Sequence, residues 1–121
     1  LDPLLPQYIE AGYPIHCYEE RARFVAAPVE DMPFEDAYFD AVVSVNAIDH
    51  VNDFAAAALE IKRVLHPQGQ FRMHVHYHPK TKAEPWELND AVFLQHYGWV
   101  PGLQKIKESQ QKTGTRLANI E

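Results

Sequence analysis

Histidines are the residues of this chain most ready to do chemistry. His74, His76 and His78 recur at every second position, and residues two apart on a strand point the same way, so two of the three imidazoles can share one metal ion. A further ligand such as Glu84, Glu87 or His96 would have to fold back onto them. The other reading is a polar sheet face, and we assign no metal ligand from the sequence alone. His50 stands apart, an imidazole whose charge changes near neutral pH. Cys17 is the single cysteine and has no motif around it, so it is read as a free thiol and not as a nucleophile. Carboxylates crowd a loop at residues 28–36, together with two prolines, which makes that loop a natural ligand edge.

Alternating elements must position these groups. Residues 3–11 read as a short helix with Pro3 near its start and Gly12 at its end. Residues 23–26 are a short strand candidate leading into the acidic loop. From 39 to 45 the side chains are nearly all apolar, the pattern of a strand covered on both faces at the centre of a parallel sheet. Asp53 can cap a helix in which Phe54, Ala58, Ile61 and Leu65 form one apolar stripe. Pro67 and Gly69 then turn the chain into a strand at 70–78, where Phe71, Met73, Val75 and Tyr77 alternate with polar residues. Strand, helix and strand in this order imply a right-handed parallel crossover. A last helix is expected at 84–97, with Trp86 and Trp99 as core or lid residues, and 107–121 as a poorly ordered tail.

Composition narrows the classes. With 121 residues and 46% hydrophobic content, one domain with one core is expected. A formal charge of −6 with scattered Lys and Arg offers no footprint for nucleic acid. No apolar run approaches the roughly 20 residues of a membrane helix, so no membrane partner is expected. The lone cysteine suits a reducing cytoplasm. Because the first residue is Leu, the chain is expected to be a fragment or a processed product.

From Val25 to His76 the order of acidic loop, apolar strand, helix, Pro-Gly turn and strand resembles the back half of a class I S-adenosylmethionine-dependent methyltransferase. The resemblance implies an α/β fold with a Rossmann-like methyltransferase sheet, N-terminally incomplete, and S-adenosylmethionine as cofactor. Leu1-Asp2-Pro3 is similar to the end of the family's second strand, which makes Asp2 the acceptor for the ribose hydroxyls, or else only a cap for the helix that follows. Glu30-Asp31-Met32-Pro33-Phe34 resembles the adenine motif: Asp31 would accept the exocyclic amine, and Met32 would offer its amide to a ring nitrogen and its thioether to the ring face. The run from Phe39 to Val51 resembles the fourth strand and its exit loop, so Ser44, Asn46 and Ala47 would lie beside the methionine portion. His50 would stand near the active mouth as a candidate general base or as a loop-holding residue. Tyr77 and His78 are substrate candidates. In the turn before strand five, Gln68 departs from a more usual glycine.

The family's Gly-rich first loop, commonly G-x-G-x-G, has no counterpart among Gly12, Gly69, Gly98, Gly102 and Gly114. The family also lays its first strand between the second and the fourth. An open strand edge is therefore expected, to be covered by a second copy or by a further segment. The expected function of the parent protein is methyl transfer to a small-molecule acceptor, and the chain by itself is not expected to be a complete enzyme. The competing readings are a non-catalytic, methyltransferase-like binding or oligomerising module and a His-rich metal-binding protein.

Overall fold

The computed structural model describes residues 1–105; the expected tail at 107–121 lies outside the described residues. A parallel pair of strands, β1 (Phe39–Val45) and β2 (Leu65–His74), is joined by helix α2 (Phe54–Val64). This is the crossover that the strand-helix-strand order demands. A short helix, α1 (Leu5–Glu10), opens the chain, and α3 (Asp90–Tyr97) packs against α2. Asp53 caps α2 by accepting the Ala56 amide at 2.9 Å, as its place before the apolar stripe predicts. Phe54, Ala57, Ala58, Ile61 and Val64 form the buried face of that helix. Met32, Ile48, Val51, Leu88, Phe93 and Tyr97 complete the core. Phe54 is its centre, with the Phe93 and Tyr97 rings edge-on to it at 5.5 Å.

Several expectations change. The strand after the turn ends at His74 instead of running to 78, and residues 75–78 continue without regular structure. The last helix starts at Asp90, six residues later than expected, because Asn89 provides the cap by accepting the Val92 amide and Pro85 disfavours an earlier start. Residues 23–26 form no strand, although Val25 accepts the Asp2 amide at 3.0 Å and so keeps one rung between the two segments. Finally, β1 is not covered on both faces: Val43 is 66% exposed and Val45 56%, and among the described residues β2 is its sole strand neighbour. An apolar strand with nothing on one face and one edge is a sheet interior whose other layers are missing from the described residues.

β2 starts at Leu65, directly after α2 and five residues before the expected start at 70, so the expected Pro67 to Gly69 turn is an irregular stretch within β2, and its close approach to β1 depends on Gly69. A Cβ there would lie 2.7 Å from Leu65 Cδ1 and 2.9 Å from both the Asp40 and His66 carbonyl oxygens, so only glycine lets the backbone close onto the start of β1. Phe39 pairs with Leu65 and Ala41 with Gln70, which places the whole Pro-Gly turn in one irregular step of the ladder. Beyond it, Phe71 and Met73 turn inward while Gln70 and Arg72 face out. No helix among the described residues is long and apolar enough to cross a membrane.

Candidate functional site

The uncovered edge of β1 opens onto a groove of about 670 Å³ between that strand and the Leu1-Asp2 and Val25 segments. Its size lies within the range of small-molecule sites. Asp2, Met32, Ser44 and Ala47 line it, with Val43 and Ile48 among the apolar walls. Two expected members stand elsewhere. Asp31 is exposed and does not line the groove, and neither does Asn46. Asn46 has a positive φ of 48° and donates its amide to the His74 carbonyl at 3.0 Å, so it turns the chain sharply at the carboxyl end of β1. Asp2 lines the groove, and its Oδ1 accepts the Leu4 amide at 2.8 Å; Leu4, not Asp2, is the N-cap residue of α1, which has no side-chain cap.

The acidic loop is clamped from behind by a pair the sequence reading left unused. Arg63 donates to Glu60 Oε1 and Oε2 at 2.6 and 2.8 Å, to the Phe34 and Met32 carbonyls at 2.7 and 3.0 Å, and to Asp36 at 2.9 Å. Glu60 in turn accepts the Met32 amide at 2.9 Å. This corrects the expected role of Met32: its amide is engaged with Glu60 rather than offered to a ring nitrogen, and its side chain alone remains for a ligand in the groove. The Arg63 hydrogen bonds hold the Glu60 carboxyl below the usual carboxylate range, with the Met32 amide adding to this and partial burial opposing it. Arg63 is pushed above its ordinary value, first by Glu60 and then by Asp36. Glu30 ties the front of the loop to α2 by accepting the Asn52 and Asp53 amides at 2.7 and 3.2 Å. The i, i+3 spacing of Glu60 and Arg63 on a helix is a signal the sequence carried. Their reach to residues nearly 30 positions away is not.

His50 does not face the groove. Its side chain is half exposed and its Nδ1 lies 3.1 Å from the Ala83 carbonyl, in a second cluster that also holds Asp49, His78 and Glu84. Asp49 is 2% exposed and its Oδ1 has no hydrogen-bond partner. Nothing in the sequence reading singled it out, although an acid within the apolar run Ala47-Ile48-Asp49-His50-Val51 was visible there. The other two strand-spaced histidines, His74 and His76, stack edge to face at 5.3 Å and do not join this cluster. Tyr77 donates to Asp90 at 2.7 Å and lies on Phe93, which places it on α3 and away from the groove.

The arrangement of loop, strand, helix, glycine turn and strand has a match among known families. A profile described as "Methyltransferase domain" matches residues 11–73, just over half of the chain. The chain belongs to the class I S-adenosylmethionine-dependent methyltransferase family. A probable phthiotriol/phenolphthiotriol dimycocerosates methyltransferase of Mycobacterium ulcerans is 41% identical over 87 residues, 72% of this chain and 30% of that protein. An uncharacterized methyltransferase of Bacillus subtilis is 36% identical over 90 residues, 74% and 33% of the two chains. A fatty-acid O-methyltransferase of Mycolicibacterium smegmatis is 29% identical over 103 residues, 78% and 37%. The chain thus spans about a third of the length of these relatives. In this chain, β1 and β2 are part of a Rossmann-like parallel sheet, and the groove runs along the open edge of β1 from Phe39 and reaches, at Ser44 to Ala47, the carboxyl end where open α/β sheets receive their ligands.

Proposed function

We propose that this chain forms the adenosyl-binding half of a methyltransferase that moves the methyl group of S-adenosylmethionine to an oxygen of an apolar small molecule. The groove between Leu1-Asp2 and β1 carries this reading. Its donors and walls fit the cofactor: a carboxylate at one end, a soft thioether and aliphatic side chains for an aromatic base, and a hydroxyl at the strand end. The cofactor, when bound, supplies a methyl group already activated by the sulfonium charge. Asp2 would hold the ribose hydroxyls with the carboxylate oxygen not given to Leu4. Met32 would cover one ring face, and Ser44 and Ala47 would border the methionine portion. Asp31 would reach the exocyclic amine from the rim of the groove. Catalysis would then rest on holding acceptor and methyl donor in line, and a carboxylate acceptor, already ionised, carries no proton for a protein base to take. His50, turned toward its own cluster, is not needed as one.

An apolar acceptor is favoured by relatives named for a fatty acid and for phthiotriol/phenolphthiotriol dimycocerosates, and oxygen by the fatty-acid relative's name, whereas two sterol relatives are named for transfer to carbon. A second copy of the chain or a further segment adding a strand along the open edge of β1 would fill the part of the groove beside residues 39–43 and would have to leave the Ser44 to Ala47 end to the cofactor. The lone, exposed Cys17 suits a reducing cytoplasm. The reading is tested by ultraviolet cross-linking of methyl-labelled S-adenosylmethionine to the chain, with and without a long-chain fatty acid. Label on the peptides that hold Met32 and Ser44 is the expected result. No cross-link, or label confined to peptides outside the groove, would overturn the reading.

A further inference from the structure

We propose that Asp49, His50, His78 and Glu84 form a binding site for a divalent transition-metal ion of the zinc class. One ligand atom each from Asp49, His50 and Glu84 lies within 4.8 Å of the other two. His78 Nε2 stands 4.0 Å from Asp49 Oδ2, and His50 Nε2 stands 3.8 Å from the same oxygen. These separations are too long for hydrogen bonds. Ligands about 2.1 Å from a tetrahedral ion stand about 3.4 Å apart, so the two histidine–Asp49 pairs need to close by about half an ångström and the widest pair of the Asp49, His50 and Glu84 set by up to about 1.4 Å.

The orientation of the two rings points the same way. His50 Nδ1 lies 3.1 Å from the Ala83 carbonyl and His78 Nδ1 lies 2.8 Å from the Pro79 carbonyl. A carbonyl oxygen only accepts, so each Nδ1 donates to its carbonyl and leaves Nε2 as the ring atom directed at Asp49. Backbone carbonyls bonded to the far ring nitrogen are also how metal-binding histidines are usually oriented. Thr81 Oγ1 holds Glu84 Oε2 in the same way, donating at 2.9 Å.

Burial supplies an independent indication. Asp49 is 2% exposed, its Oδ1 has no hydrogen-bond donor, and the buried Nε2 of His78 has no partner either. An ionised carboxylate kept from water without a partner is strongly unfavourable, and a divalent ion would compensate it directly. Two carboxylates balance the ionic charge, and the mixed nitrogen and oxygen set suits zinc, cobalt or nickel better than magnesium or calcium. His50, half exposed, leaves a path for the ion to enter. The ion would staple the 3₁₀ turn Ile48–His50, just past β1, to the segment at 78–84. This site takes only His78 and Glu84 from the metal reading considered from the sequence, replaces His74 and His76 by Asp49 and His50, and does not depend on cofactor binding in the groove.

The test titrates the metal-free chain with zinc chloride by calorimetry, and with cobalt(II) by visible absorption. One ion per chain, a tetrahedral cobalt spectrum and a zinc-dependent rise in Tm are expected. His50→Ala and Glu84→Gln should each weaken zinc at least tenfold, and Asp49→Asn should abolish the tetrahedral spectrum. His74→Ala and His76→Ala should leave the affinity unchanged. If Asp49→Asn fails to fold by circular dichroism, the two more exposed variants decide alone. Absence of zinc uptake at micromolar concentration, or uptake that survives His50→Ala and Glu84→Gln, would overturn the proposal.

Discussion

Two polar regions stand at opposite ends of β1 and are built in opposite ways. In the clamp behind the acidic loop, Glu60 meets Arg63 at both oxygens and also accepts the Met32 amide, while Arg63 reaches two carbonyls and Asp36. Each charge there has a donor or acceptor of the opposite kind. In the cluster past β1, the buried Asp49 has an unpartnered Oδ1 and faces two imidazoles at distances longer than a hydrogen bond. The first arrangement is complete in the protein alone. The second has the right residues and an unfilled centre, which is how a site for an added ion differs from a structural network.

Substitutions should separate the two. Phe54→Ala removes the aromatic ring on which α2, α3 and therefore both regions depend, and should lower stability by about 3 to 5 kcal/mol in denaturant melts. Glu60→Gln breaks the charge-assisted part of the clamp and should cost about 1 to 3 kcal/mol. Asp53→Ala removes the cap of α2 and should cost about 1 kcal/mol. Asp49→Asn should do the reverse of Glu60→Gln: with chelator present it should leave Tm unchanged or raise it, because it deletes a buried charge that has no partner. Equal losses at Glu60 and Asp49 would erase the contrast.

Acid sharpens it further. The folded Glu60 carboxyl is held below its ordinary value near 4.5, so the clamp stabilises the protein above that pH and its contribution is lost as pH falls through the lowered value. Tm of the wild type should therefore drop more steeply below pH ~4.5 than Tm of Glu60→Gln. Parallel curves would remove Glu60 from the clamp.

Local pattern carried much of this into the sequence. The apolar run at 39–45 and the Asp53 cap with its stripe each obey a short-range rule, and each appears in the structure, whereas the turn expected at Pro67 to Gly69 is an irregular stretch of β2. The longer-range features were less visible. Six residues of expected helix were lost to the Asn89 cap, and the strand expected through 78 stopped at His74. Strand spacing put His74, His76 and His78 together, whereas folding brings His78 to Asp49 and Glu84, neighbours set by a turn and a loop with no periodic signal. The Arg63 bonds to Phe34 and Asp36 span more than 25 residues for the same reason. Asp2 and Met32 reach the groove as the family pattern implies, yet Asp31 sits in solvent and the Met32 amide belongs to Glu60.

The groove between Leu1-Asp2 and β1 as the adenosyl site is tested most directly by titrating the chain with S-adenosylhomocysteine in a calorimeter, beside an Ala47→Trp variant that fills the groove from its exposed rim. Micromolar binding by the wild type, lost in Ala47→Trp while the fold is kept, is the predicted result. No heat from the wild type, or equal affinity in the variant, would contradict it.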